Sequence, residues 1–229
     1  MKRLLIFASG TANGTVPGKA TGGGSGFENL VIAQRKNQFS ADIVGVVSSH
    51  EHGGVRTRAD RLKVPFMYFS PPYTAERYLE IIARLQPDFI AFCGWLKMAR
   101  GLDPRITVNI HPGPLPLTAG LYGDNVHRTA IAAYKAGKIT DSAVSMHFVT
   151  QEYDAGPLFF YLPVRIFPED DYETLAKRVK QKEHNFYPGI IRLLLEGLIH
   201  WDGKDEKSLY IPPGYRYLPN RVENGNFIY

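Results

Sequence analysis

TVNIHPGPLP, residues 107–116, decides how the chain is read. Its first five residues, Thr107 to His111, favour a strand. Side chains alternate along a strand, so Asn109 and His111 share one face. The prolines at 112, 114 and 116 cannot donate to a ladder, so the strand stops there. In an open parallel α/β sheet, ligands gather at the carboxyl ends of the strands. An amide donor beside an imidazole at such an end suits a negative charge growing on a carbonyl oxygen. The plainer reading is a core Asn and His satisfied by backbone.

Upstream, short apolar runs alternate with helical spacing. Strands are expected at 4–8, 41–48, 65–69 and 88–93, and helices at 27–38, 55–62 and 74–85. That rhythm predicts an α/β fold, a mostly parallel, Rossmann-like twisted sheet with helices on both faces. Downstream the order changes: a helix at 125–136, then strands at 142–149 and 158–166, the second holding Pro163 and so belonging near an edge. This is the antiparallel C-terminal part. Asp170 or Asp171 can cap a long helix to about Gly197, which Pro188 should break or kink. The expected division is one domain over 1–200 and a Pro-, Gly- and Asn-rich tail over 201–229, packed on the body or loosely attached.

The first strand leads into a glycine-rich segment ending Gly22-Gly23-Gly24-Ser25-Gly26, directly before a helix. Exposed N–H groups and a helix N-terminus favour an anion, so a phosphate site is expected in this segment. The alternative is a surface loop. No Gly-Lys-Ser/Thr follows, and no acidic residue ends the second strand, so neither a Walker loop nor a dinucleotide fingerprint is present.

A second segment, VSMHFVTQEYDAGP (144–157), puts Asp154 after a strand and before a Gly-Pro turn. A carboxylate there can orient His111, raise its pKa and handle a proton through water; the plain reading is a turn aspartate. His147 reads as structural, His127 as a residue in reach of the site, His50 and His52 as loop residues, and Arg77 as a loosely placed phosphate candidate.

The 229 residues carry a net charge of +5, with 44% hydrophobic and 21% charged side chains. A basic surface suits small anions as well as nucleic acid. Lys177, Arg178, Lys180 and Lys182 read as a solvated helix face, so no nucleic-acid partner is expected. One cysteine, Cys93, excludes an internal disulfide and a cysteine-based zinc site. No apolar run is long enough to span a bilayer. A cytoplasmic protein without metal is expected, as monomer or homodimer.

GGGSG (22–26), FCGWLKMA (92–99), NIHPGPLP (109–116), VSMHFVTQEYDAGP (144–157) and KEHNFYPGIIRLLLEG (182–197), in this order along residues 1–200, resemble the signature blocks of the folate-dependent formyltransferases. The Glu183-His184-x-x-Tyr187-Pro188 block resembles their glycinamide ribonucleotide branch. The resemblance implies 10-formyltetrahydrofolate as donor and 5-phosphoribosylglycinamide as acceptor, in purine biosynthesis. It implies Asn109, His111 and Asp154 as catalytic residues, with His111 protonated. The acceptor phosphate would lie on Gly24, Ser25 and Gly26, Glu183 would contact the acceptor, and Trp95, Leu96, Lys97, Met98 and Ala99 would line the folate site.

Departures from the family pattern are Gly113 where a serine is usual, Lys97 where an arginine is usual, a longer loop GLYGDNVH (120–127) and extra residues over 11–21. They are expected to touch substrate fit more than chemistry. Rival readings are a folate deformylase, a methionyl-tRNA formyltransferase, and a non-catalytic phosphate-ligand binder of the same fold. The first usually carries an added N-terminal domain and the second a C-terminal barrel.

Overall fold

The structure, a computed structural model, describes residues 1–10 and 22–218, and the backbone of 220–221 and 227–228. The expected insertion over 11–21 lies outside the described residues.

Five parallel strands come first: β1 (Arg3–Phe7), β2 (Asp42–Ser48), β3 (Phe66–Tyr68), β4 (Phe89–Phe92) and β5 (Thr107–His111). Between them run α1 (Ser25–Arg35), α2 (Gly54–Leu62) and α3 (Ala75–Leu85). Then follow α4 (Asp124–Lys135), β6 (Asp141–Phe148), β7 (Leu158–Arg165) and α5 (Tyr172–Leu195). The main sheet has the order β3-β2-β1-β4-β5-β6-β7. Its β6 and β7 run antiparallel to their neighbours, and Pro163 lies in the edge strand β7 as expected.

Period-two alternation builds both faces of this sheet. Leu4, Ile6, Val46 and Ala91 enter one core, with Phe27, Leu30, Ala59 and Leu175 of the helices. Leu5, Phe7, Val47, Ile90 and Phe92 enter the other, with Tyr78 and Ile81 of α3. The parallel strands are therefore apolar on both sides, as strands covered by two helical layers must be.

Asp171 caps α5 by a full capping box: its side chain accepts from Thr174 N at 2.8 Å, and its own N–H donates to Thr174 Oγ1 at 3.1 Å. Pro188 does not break this helix, which runs on to Leu195. Proline removes one backbone donor, but Tyr187, Pro188 and Ile191 are buried, and their packing holds the turn. The first part of the tail also packs: Trp201, Leu209, Ile211, Tyr215 and Tyr217 join the larger core, and Tyr161 N donates to Tyr217 O. A two-stranded ribbon, β8 (Asn220–Arg221) with β9 (Phe227–Ile228), follows.

The four basic residues of α5 are not all a solvated face. Arg178 grips the buried Asp170 through two hydrogen bonds, at 2.6 and 2.9 Å, and Lys180 lines a cleft described below.

Candidate active site

Register brings the site together. Asn109 of β5 lies opposite Phe92 of β4 and opposite His147 of β6. Asp154 stands on the loop between β6 and β7, with a left-handed φ of 53°. That loop closes tightly: a Cβ on Gly156 would meet the Phe148 carbonyl oxygen at 1.8 Å. Only glycine lets the chain fold back so close, which fixes Asp154 over the strand ends.

Asn109 Nδ2 is 3.2 Å from Asp154 Oδ1 and 3.2 Å from His147 Nε2, and those two atoms are also 3.2 Å apart. His147 Nδ1 lies 2.8 Å from the Phe148 carbonyl, which can only accept, so this nitrogen carries hydrogen. The Asn109 amide donates to Asp154 Oδ1. Asp154 Oδ2 accepts from Gly120 N at 2.9 Å and stands 3.6 Å from His111 Nδ1. Thus Asn109, His111 and Asp154 converge as the sequence predicts. Two partners escaped the reading: His147, assigned a structural role, and Gly120, whose N–H is invisible in sequence. The pairing of β6 with β5 is the signal that would have found His147.

Burial tends to raise the Asp154 pKa, but hydrogen bonds from His147 and Gly120 and the neighbouring His111 outweigh it and hold the carboxylate low. His111 goes the other way. Burial pushes its pKa down to about 4, against the opposing pull of Asp154. The expected imidazolium is therefore not the resting form: His111 is neutral near pH 7, because desolvation of a ring only 3% exposed wins over one carboxylate.

Gly113 is held to glycine by its own neighbours. A Cβ there would lie 2.4 Å from Val126 Cγ1, 2.5 Å from Thr118 Oγ1 and 3.2 Å from His111 Nε2. The space beside the imidazole is already filled by the Thr118 hydroxyl. Ser145 secures this turn, its hydroxyl donating to Gly113 O at 2.7 Å.

Two adjoining cavities meet at the cluster, and a third adjoins the second. One is lined by Trp95, Lys97, Met98, Ala99, Asn109, His147 and Asp154, among others. A second holds His111, Pro112 and Gly120, and shares Trp95, Asn109, Tyr153 and Asp154 with the first. The third is an open cleft of about 470 Å³, lined by Gly24, Ser25, Gly26, His127, Lys180, Glu183 and His184, and it shares Gly94, Leu96 and Pro112 with the second. Leu96, expected beside Trp95, lines the second and third cavities rather than the first. Trp95 itself is braced from behind, its Nε1 donating to Tyr78 Oη at 2.9 Å.

The third cleft presents a helix N-terminus and a lysine. Gly24 caps α1 with no side-chain hydrogen bond, so the helix's first N–H groups face the cleft without a competing cap. Glu28 of α1 pairs with Arg58 of α2 at 2.7 Å and with Arg61, fixing the helix. Burial pushes Glu183 up to about 8, so it is largely protonated near pH 7 and does not cancel Lys180. Burial also lowers His127. Arg77 stands elsewhere: it donates to the carbonyls of Ser70 and Pro72. Burial lifts the Cys93 thiol to about 12, which removes it as a nucleophile.

A family model described as formyl transferase matches residues 19–191. The chain is 28% identical over 206 residues to phosphoribosylglycinamide formyltransferase of Bacillus subtilis, covering 85% of this chain and 95% of that one. It is similar to glycinamide ribonucleotide transformylase 1 of Geobacillus kaustophilus, with 31% identity, a TM-score of 0.68, and 85% and 99% of the two chains covered. The fold is also that of the Symbiobacterium toebii transformylase 1, at TM-score 0.74 and 23% identity, covering 93% and 94%.

Proposed function

The chain belongs to the formyl transferase family, and on that premise we propose that it moves the formyl group of 10-formyltetrahydrofolate to the amine of 5-phosphoribosylglycinamide, in purine biosynthesis. The observation that carries this reading is that Asn109, His111 and Asp154 line a cavity that adjoins two different clefts. The first cleft, walled by Trp95, Met98 and Ala99, suits the flat folate ring. The glycine-edged third cleft suits a phosphorylated sugar, with phosphate on Gly24, Ser25 and Gly26 and Glu183 toward the ribose and amine side.

The acceptor amine attacks the formyl carbon, and negative charge develops on the former carbonyl oxygen. Asn109 exchanges one of its two amide contacts for that oxygen. Such a donor contributes on the order of 10²–10³ in rate. A new carbon–nitrogen bond forms and the bond to the folate nitrogen breaks, so one proton must pass from the acceptor nitrogen to the folate nitrogen. The neutral His111 can take it, Asp154 can stabilise the imidazolium, and water can complete the transfer. Asp154→Asn is expected to lower turnover by roughly 10²–10³-fold and to leave the acceptor KM within a few-fold.

Among the described residues no helix is long and apolar enough to cross a membrane. The deciding experiment is release of tetrahydrofolate, followed by absorbance. Release that requires the ribonucleotide supports the transferase; equal release without it contradicts this reading and supports hydrolysis of the donor.

A further inference from the structure

Thr118 is fully buried in the loop after the His-Pro turn. Its Oγ1 lies 2.9 Å from His111 Nε2 and 3.2 Å from the carbonyl of Pro114. That carbonyl can only accept, and a threonine hydroxyl has one hydrogen to give. Both bonds therefore form together only when His111 Nε2 carries a hydrogen and donates it to Thr118. In the neutral ring this leaves Nδ1 bare, and Nδ1 is the nitrogen that faces Asp154.

We propose that Thr118 is a positioning residue that holds His111 as the Nε2–H form, so that Nδ1, beside Asp154, is the atom that receives the acceptor's proton. The inference rests on the formyl-transfer reading above. The proton leaves the acceptor nitrogen as its bond to the formyl carbon forms, resides on Nδ1 between Asp154 and the cleft, and goes to the folate nitrogen as that bond breaks. Thr118 and Pro114 stay hydrogen-bonded throughout, so the ring neither flips nor changes partner. Gly113 belongs to the same device. It leaves the space for the Thr118 hydroxyl that a side chain at 113 would otherwise fill.

Thr118→Val keeps the shape of the side chain and removes the acceptor for Nε2–H. Its kcat is expected to fall about tenfold to a hundredfold, as for a misplaced catalytic group, with both KM values within about twofold. Thr118→Ser should restore kcat to within roughly threefold. Long-range ¹H–¹⁵N correlation spectra of the wild-type protein at pH 7 should show the His111 proton on Nε2. A valine variant within about twofold of wild-type kcat, or a wild-type ring protonated on Nδ1 alone, would overturn the proposal. If the valine variant does not fold, the serine variant and the wild-type spectrum decide. If wild type shows no turnover, the transfer reading fails, while the spectrum still tests the hold of Thr118 on the ring.

Discussion

Asn109 is held by two partners at once, Asp154 and His147, each at 3.2 Å. A side chain fixed in this way is pre-organised, and little reorganisation is needed when charge develops beside it. Glu183 shows the opposite economy: its carboxyl is kept neutral by burial rather than ionised by a partner. Its pKa rises from 4.5 to about 8, so the folded protein holds this proton more tightly than the unfolded chain does. The stability cost is absent below pH 4.5, and it grows as pH rises toward 8. Glu183→Gln should therefore melt at nearly the wild-type temperature at pH 4.5 and clearly above it at pH 8.5. Equal melting temperatures at both pH values would contradict a buried, proton-holding carboxyl. Asn109, His111 and Asp154 were legible in the sequence because spacing and strand period are local signals. His147 and Thr118 were not, since their roles come from β5–β6 pairing and from one hydroxyl filling the space beside Gly113.

Elements carry these residues, and helix α5 does the most distant work. It presents Lys180, Glu183 and His184 to the glycine-edged cleft, and Tyr187 Oη ties it to β4 by donating to Phe92 O at 3.0 Å. Its start is locked by Asp170, which the Arg178 hydrogen bond holds at about 2 against an ordinary 3.8. A lowered carboxylate stabilises above its ordinary value, and that contribution is lost as pH falls from about 4 toward 2. Arg178→Ala leaves Asp170 buried without its forked partner. The loss at pH 7 should be about 2–3 kcal/mol, read by urea unfolding, and the gap to wild type should narrow as pH falls from about 4 toward 2. The helix was expected from its cap and apolar spacing. Its unbroken passage through Pro188 was not, because tertiary packing there overrides a local rule.

At the scale of the whole molecule, two cores clamp one sheet, and the chain after α5 returns to the larger one. Trp201 is 6% exposed. Its ring lies 5.6 Å from Phe148, the neighbour of His147 in β6, and its Nε1 donates to Asp205 O at 2.8 Å. We propose that residues 201–218 are part of the folded body rather than a loose tail. Trp201→Ala should then cost about 3 kcal/mol or more, some 6–12 °C in Tm, with KM values unchanged at 20 °C. A loss within about 1 °C would mark the tail as dispensable. The sheet was readable because alternating runs and helical spacing recur down the chain. The tail's packing was not, since a polar, Pro- and Gly-rich composition hides a few well-placed aromatics.

The central claim is that the cluster between the clefts transfers a formyl group from one ligand to the other. Its most direct test supplies ¹³C-labelled 10-formyltetrahydrofolate with 5-phosphoribosylglycinamide, and reads the acceptor by mass spectrometry for wild type and His111→Ala. The account predicts the labelled formyl on the acceptor nitrogen with wild type, and at least a hundredfold less with the variant (about 10² or more for a lost acid–base group). Label appearing as free formate while the acceptor stays unmodified, or equal transfer by the variant, would contradict it.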